Sequence, residues 1–309
     1  MSKTAFLFPG QGSQYAGMGK ELAAAFAVAR QTFEEADDAL GFKLSDLCFN
    51  GPEADLKLTF NTQPAILTAS IAVLRVLKEE TDLAADYLAG HSLGEYSALV
   101  CGGALSLADA VRTVRARGTF MQEAVPVGVG AMAAMLSIEA DELVAICREA
   151  AQGEVVAPAN FNSPGQIVIA GHASAVNRAI EIAKGKGYRK SMLLPVSAPF
   201  HCSLMQPAAD RLASVLDGVA VQQLSVPVIT NVEAVANQDA GRVRGLLVAQ
   251  VCAPVRWEQS MQEMVRLEVS RCVEIGPGKV LSGLMKRISK EVSTVSVEDA
   301  ATLQAVTAG

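Results

Sequence analysis

Histidine is scarce in this sequence: three in 309 residues, His91, His172 and His201. Any chemistry that needs an imidazole base therefore has three candidates. The six cysteines (Cys48, Cys101, Cys147, Cys202, Cys252 and Cys272) stand singly. With no C-x-x-C pair and no Cys/His cluster, the sequence offers no zinc or dithiol motif and no metal site to assign. Isolated cysteines in a chain long enough to bury a large core point to a reducing, cytoplasmic compartment. Basic residues are outnumbered, 26 Lys and Arg against 32 Asp and Glu, for a net charge of −6. The basic footprint of a nucleic-acid binder is missing. No apolar run reads as membrane-spanning. The nearest, Ala65–Leu77, carries Arg75 and runs into charged residues. The N-terminal stretch MSKTAFLFPGQG lacks the apolar run and cleavage-like site of a signal peptide.

What is present is largely apolar. Half of the residues are hydrophobic and 19% are charged. That balance suits a folded chain of about two domain-sized units rather than a disordered one. The first half alternates short apolar runs with amphipathic ones. Ala5–Phe8 reads as a buried strand, 10–19 as a Gly-rich loop, and Lys20–Leu40 and Pro64–Lys78 as helices. Tyr87–Ala89 reads as a short strand, followed by a helical run to Val100. Ser106–Glu123 is a helix opening on the capping signature Ser106-x-x-Asp109. This alternation predicts a mostly parallel sheet covered on both faces.

Beyond the Val127-Gly128-Val129-Gly130 hinge the order becomes β-α-β-β-α-β, the ferredoxin-like pattern. Its strands are expected at 131–138, 155–161, 166–170 and 191–196, and its helices at 141–151 and 173–184. The reading is an inserted subdomain over 128–197, with residues 1–127 and 198–309 forming the main α/β unit. In that unit Pro227–Thr230, Cys272–Ile275 and Thr294–Val297 read as further strands.

Gly90-His91-Ser92-Leu93-Gly94 matches G-x-S-x-G between a strand and a helix. That turn lifts a serine hydroxyl out of a sheet, and its glycines allow close backbone approach. Ser92 is thus a candidate nucleophile; a plain helix cap is the competing reading. The Leu93 N–H at the helix start is suited to an oxyanion, and a second donor is sought in the loop Phe8–Gln14. That loop fits neither a dinucleotide fingerprint nor Walker A. Among the histidines, His91 adjoins Ser92 and is expected to pack under the elbow. His172 is expected at a surface or a cap. By elimination His201, where the chain leaves the insert, leads as base. Cys202 has no glycine elbow and reads as packing. The face Leu107, Val111, Val114, Gly118, Met121 puts Arg117 at its edge. From periodicity the favoured reading is an internal Asp or Glu partner or simple snorkelling; a clamp for a substrate carboxylate is the alternative.

Together these segments resemble the malonyl-CoA:acyl carrier protein transacylases, within the acyltransferase family of fatty-acid and polyketide synthesis. The resemblance rests on Phe8-Pro9-Gly10-Gln11-Gly12-Ser13-Gln14, Gln63-Pro64-Ala65, Gly90–Tyr96, Arg117, Asn160–Gly165, Phe200-His201 and Glu274–Gly278. It implies an α/β-hydrolase-like core with a ferredoxin-like insert. It also implies malonyl transfer from malonyl-CoA to the phosphopantetheine thiol of acyl carrier protein by a ping-pong route. On this resemblance Ser92 is the acylated nucleophile and His201 its base, oriented by the backbone carbonyl of Gln250. The N–H groups of Gln11 and Leu93 form the oxyanion hole. Arg117 grips the malonyl carboxylate, and Gln63 and Asn162 are pocket residues. Leu93 and Phe200 match the malonyl rather than the methylmalonyl pattern. Coenzyme A is then a substrate, and no cofactor or metal is required. An acidic carrier needs a local basic patch: Lys286, Arg287 and Lys290, or Lys184, Lys186, Arg189 and Lys190. A serine esterase or thioesterase on the same core, and a non-enzymatic binding module, are the competing functions.

Overall fold

The computed structural model describes residues 3–196 and 198–307. The residue that closes the expected insert, Ser197, lies outside the described residues, as do the chain ends. In chain order the strands are β1 (Lys3–Phe8), β2 (Tyr87–Gly90), β3 (Gly130–Leu136), β4 (Val156–Ser163), β5 (Gln166–His172), β6 (Ser191–Leu193), β7 (Val228–Ile229), β8 (Ala236–Asn237), β9 (Val269–Ile275) and β10 (Ser293–Val297).

Two sheets result. The larger has the order β10-β9-β1-β2-β7-β8. Its pairings are parallel except for the β7–β8 edge pair. Helices cover both faces, so β1 reads as the continuous apolar run Ala5-Phe6-Leu7-Phe8, every residue of it buried. The smaller sheet has the order β4-β5-β3-β6 and is antiparallel throughout. On β3, Ala133 and Met135 pack with the helices Ala140–Ala151 and Ala173–Gly185. Met132 and Ala134 face the opposite way and join the main core. The two-residue period of a strand thus places one sheet between two cores.

Several elements differ from the sequence reading. Lys20–Leu40 is two helices, Lys20–Ala25 and Ala27–Leu40, because Phe26 is extended (φ −121°, ψ 126°) and packs against the core. Short helices at Leu44–Asn50 and Glu53–Leu56 were not anticipated. β6 covers only half of 191–196. The helix expected from Pro64 starts five residues earlier and spans Thr59–Glu80. Pro64 has no N–H for the Phe60 carbonyl, and the Arg115 guanidinium reaches that carbonyl instead, at 3.4 Å. By length and composition this helix could cross a bilayer, but 83% of its most apolar window is buried within the protein.

Candidate active site

β1 and β2 are adjacent and parallel, so the loops after them meet at one end of the sheet. The chain turns from β2 into the helix Gly94–Cys101 through Ser92, whose φ of +51° is unusual for a residue with a side chain. Two glycines make the turn possible. A Cβ on Gly90 would lie 1.9 Å from the Gly94 carbonyl, and one on Gly94 would lie 2.1 Å from the Phe8 carbonyl. The first loop and the elbow therefore touch backbone to backbone. The strained turn is held from below: Asn231 Oδ1 accepts the Ser92 N–H at 2.7 Å, and Asn231 Nδ2 donates to the Gly90 carbonyl at 2.7 Å.

Ser92 Oγ lies 2.7 Å from His201 Nε2. The opposite ring nitrogen, Nδ1, donates to the Gln250 carbonyl at 2.8 Å, which leaves Nε2 free to accept the serine proton. Gln250 sits in the last turn of the helix Ala240–Cys252. The residue four positions on is Pro254, which has no N–H to offer. The Gln250 carbonyl is thus an orphan of the helix end, open to the imidazole. Burial, and then the nearby Arg117 charge, push the His201 imidazole down to about 3. It is therefore neutral at physiological pH.

Arg117 is 2% exposed on the helix Leu107–Glu123, which Ser106 caps by accepting the Asp109 N–H at 3.0 Å. Its guanidinium donates to Gln63 Oε1 at 2.8 Å, to Gln250 Oε1 at 2.9 Å and to Ser92 Oγ at 3.1 Å. The internal carboxylate partner favoured by periodicity is not in contact: all three acceptors are neutral. The Arg117 Nε has no partner among the described residues.

A cavity of about 120 Å³ opens over these groups. Gln11, Gln63, Leu93 and Arg117 line its polar side, and Met121, Met132, Leu194, Val196 and Phe200 line its apolar side. Neither the Gln11 nor the Leu93 backbone N–H donates a hydrogen bond within the described residues. The structure thus brings Ser92, His201, Gln250, Gln11, Leu93, Arg117 and Gln63 together. Asn162 is placed differently: Asn160 lines the cavity, whereas Asn162 Oδ1 bonds His91 Nε2 at 2.8 Å. His91 also lines the cavity, with its ring 5.5 Å from that of Trp257. His172 precedes the helix Ala173–Gly185 and accepts the Val155 N–H at 3.0 Å. Cys202 is buried, and burial pushes its thiol up to about 11.

Two residues escaped the sequence reading. Asn231 had no local motif to mark it. Glu95 lay within the elbow segment, but nothing in its spacing tells that a carboxylate there is buried. Pro254 was a legible sign for the Gln250 carbonyl.

The acyl transferase domain family matches residues 5–305. The chain is 50% identical over 305 residues to a malonyl CoA-acyl carrier protein transacylase of Bacillus subtilis, covering 98% of this chain and 96% of that one. An acyl carrier protein S-malonyltransferase from Vibrio cholerae superposes with a TM-score of 0.97 at 49% identity, covering 99% of this chain and 100% of that one. A malonyl-transacylase solved in complex with a type II polyketide-synthase acyl carrier protein superposes at 0.96 with 48% identity, covering 98% of both chains.

Proposed function

The chain belongs to the acyl transferase domain family, and from that premise we propose that it moves the malonyl group of malonyl-CoA onto the phosphopantetheine thiol of acyl carrier protein. The product supplies extender units for fatty-acid synthesis. One observation carries the reading: Ser92 Oγ meets both an imidazole, at 2.7 Å, and a buried guanidinium, at 3.1 Å. The imidazole suits a nucleophile, and the guanidinium suits an acyl group that bears its own carboxylate.

The geometry supports a two-step route. His201 Nε2 takes the Ser92 proton as Oγ attacks the thioester carbonyl carbon. The tetrahedral oxyanion is met by the Gln11 and Leu93 N–H groups. The carbon–sulfur bond breaks, coenzyme A takes the proton from His201, and malonyl-Ser92 remains. The carrier thiol then gives its proton to His201, attacks the ester, and Ser92 recovers its proton. Arg117 exchanges Ser92 Oγ and the Gln250 amide for the malonyl carboxylate, with Gln63 bracing the guanidinium. That exchange also offsets the positive charge that depresses His201, so the base strengthens when a carboxylated acyl group is bound. Coenzyme A is substrate and product, and acyl transfer by this route needs no metal or prosthetic group.

The remaining readings follow from the same resemblance. The larger sheet is an α/β-hydrolase-like core. The smaller, with its second strand in chain order (β4) at one edge and its fourth (β6) at the other, is a ferredoxin-like insert over 128–197. The enzyme works in the cytoplasm, and it docks the acidic carrier on Lys286, Arg287 and Lys290. These three are exposed and in no ion pair among the described residues. In the rival patch Lys184 and Lys186 are spent on Glu181 and Glu142, at 2.6 and 2.9 Å.

Intact-mass analysis after exposure to malonyl-CoA tests the proposal. The expected result is one malonyl adduct, on Ser92, discharged by carrier protein faster than by water. No adduct, or hydrolysis that outruns transfer, defeats the reading in favour of a thioesterase.

A further inference from the structure

Below Ser92 lies a buried carboxylate that the transfer steps do not use. Glu95, in the first turn of the helix Gly94–Cys101, is 3% exposed. Its Oε2 accepts from Gln250 Nε2 at 2.6 Å and from the Asn231 N–H at 3.3 Å. Both partners hold the elbow, since Gln250 Nε2 also donates to the Ser92 carbonyl at 2.9 Å and Asn231 grips the Ser92 N–H. At the other end of the same amide, Gln250 Oε1 accepts from Arg117. A guanidinium only donates and a carboxylate only accepts, so an amide between them has a single satisfied orientation. Glu95, together with the Ser92 carbonyl, therefore dictates which end of the Gln250 amide meets Arg117.

We propose that Glu95 is a positioning residue that acts through the Gln250 amide: it balances the Arg117 charge at one remove, aims the guanidinium at the acyl site without occupying it, and so sets the preference for a carboxylated acyl group. The inference rests on the malonyl-transfer reading. A direct Glu–Arg pair would fill the guanidinium fork, and an incoming carboxylate would have to displace it. A neutral amide in between keeps the countercharge close and yields more readily.

Glu95 also titrates where its neighbours do not. Burial pushes it up to about 7, opposed by its bonds to Gln250 and Asn231 and by the Arg117 charge. Around it, Arg117 stays cationic. Tyr96 is held up to about 12, and His91 and His201 are both held down by burial.

The test is Glu95→Gln in the full chain. Loading from malonyl-CoA and from acetyl-CoA is measured by quenched-flow and intact mass across the neutral range. A glutamine keeps the reach but carries no charge and brings a donor of its own, so only the Ser92 carbonyl is left to hold the Gln250 orientation and the countercharge to Arg117 is gone. At high pH, malonyl kcat/KM is expected to fall about tenfold, chiefly through KM, while acetyl loading falls less than about threefold. Wild-type malonyl kcat/KM is expected to rise with pH through about 7, a limb that the variant lacks. A malonyl-to-acetyl ratio unchanged in the variant overturns the inference, as does a wild-type profile flat through neutrality. If thermal unfolding shows that the variant does not fold, the wild-type profile alone decides. A wild-type enzyme that forms no malonyl adduct defeats the malonyl-transfer reading itself, and this inference falls with it.

Discussion

Arg117 shows what a single buried side chain can and cannot do alone. A guanidinium taken out of water is costly unless its donors are met, and here all its partners are neutral oxygens. Such an environment leaves the charge available to a ligand. Arg117→Ala is expected to lower malonyl loading by about a hundredfold while uncharged acyl groups load as well or better, because a lost charge-assisted bidentate contact is large on this scale. Competition between malonyl-CoA and acetyl-CoA measures the ratio, and an unchanged ratio would remove Arg117 from specificity. His201 makes a prediction of the opposite kind. Its folded value of about 3 lies below its ordinary 6.5, so between these values the unfolded chain binds more protons than the folded one. Its contribution to stability is whole above about 6.5 and is lost as pH falls toward about 3. Denaturant midpoints taken across that window should drop with acidification, and His201→Gln should flatten part of the slope.

At the scale of elements, the elbow and one helix end do most of the positioning. The Gly94 hydrogen faces the Phe8 carbonyl, so Gly94→Ala forces backbone against backbone. We expect a loss of about 3 kcal/mol or more in stability, from overpacking that no rotamer change can relieve. A chemical melt checks it. Pro254 offers a subtler test. Pro254→Ala supplies an N–H and lifts the bias of a pre-proline residue against helix at Ala253, which is extended here (ψ 153°), so that the helix can run on and compete with His201 for the Gln250 carbonyl. The expected result is a roughly tenfold lower kcat with KM little changed, the mark of a misdirected base. Equal kcat in the two proteins would show that the helix end is not what frees that carbonyl.

The whole molecule adds the meeting of its two sheets. β3 turns one face to its own helices and the other to the main core, and Met132 on the second face reaches the cavity. The basic helix Val280–Ile288 also bridges the units, since Arg287 Nη1 donates to Gln166 Oε1 on β5 at 2.6 Å. With a net charge of −6 overall, attraction for an acidic carrier has to be local. Reversing Lys286, Arg287 and Lys290 to Glu is expected to raise KM for the carrier at least about tenfold and to weaken its salt dependence, with malonyl-CoA loading unchanged. A carrier KM that does not move would send the search to Arg189 and Lys190.

The elbow, the Gly-rich loop before it, the Ser106 cap and the alternation of strands and helices in the first half were legible in the sequence. Each follows from backbone geometry and periodicity, which act over a few neighbouring residues. His201 was reached only by elimination, and the Gln250 carbonyl only by resemblance. Both belong to segments brought to Ser92 from more than a hundred positions away, and no local pattern carries such a contact. The helix break at Phe26, the early start at Thr59 and the diversion of Asn162 to His91 were decided the same way, by packing partners distant in sequence. The sequence by itself determined that a serine would be lifted on a strained turn beside a helix start. That a buried arginine reaches that serine directly, with only neutral acceptors around it, was settled in the folded chain, because charge balance in a core depends on what the fold encloses.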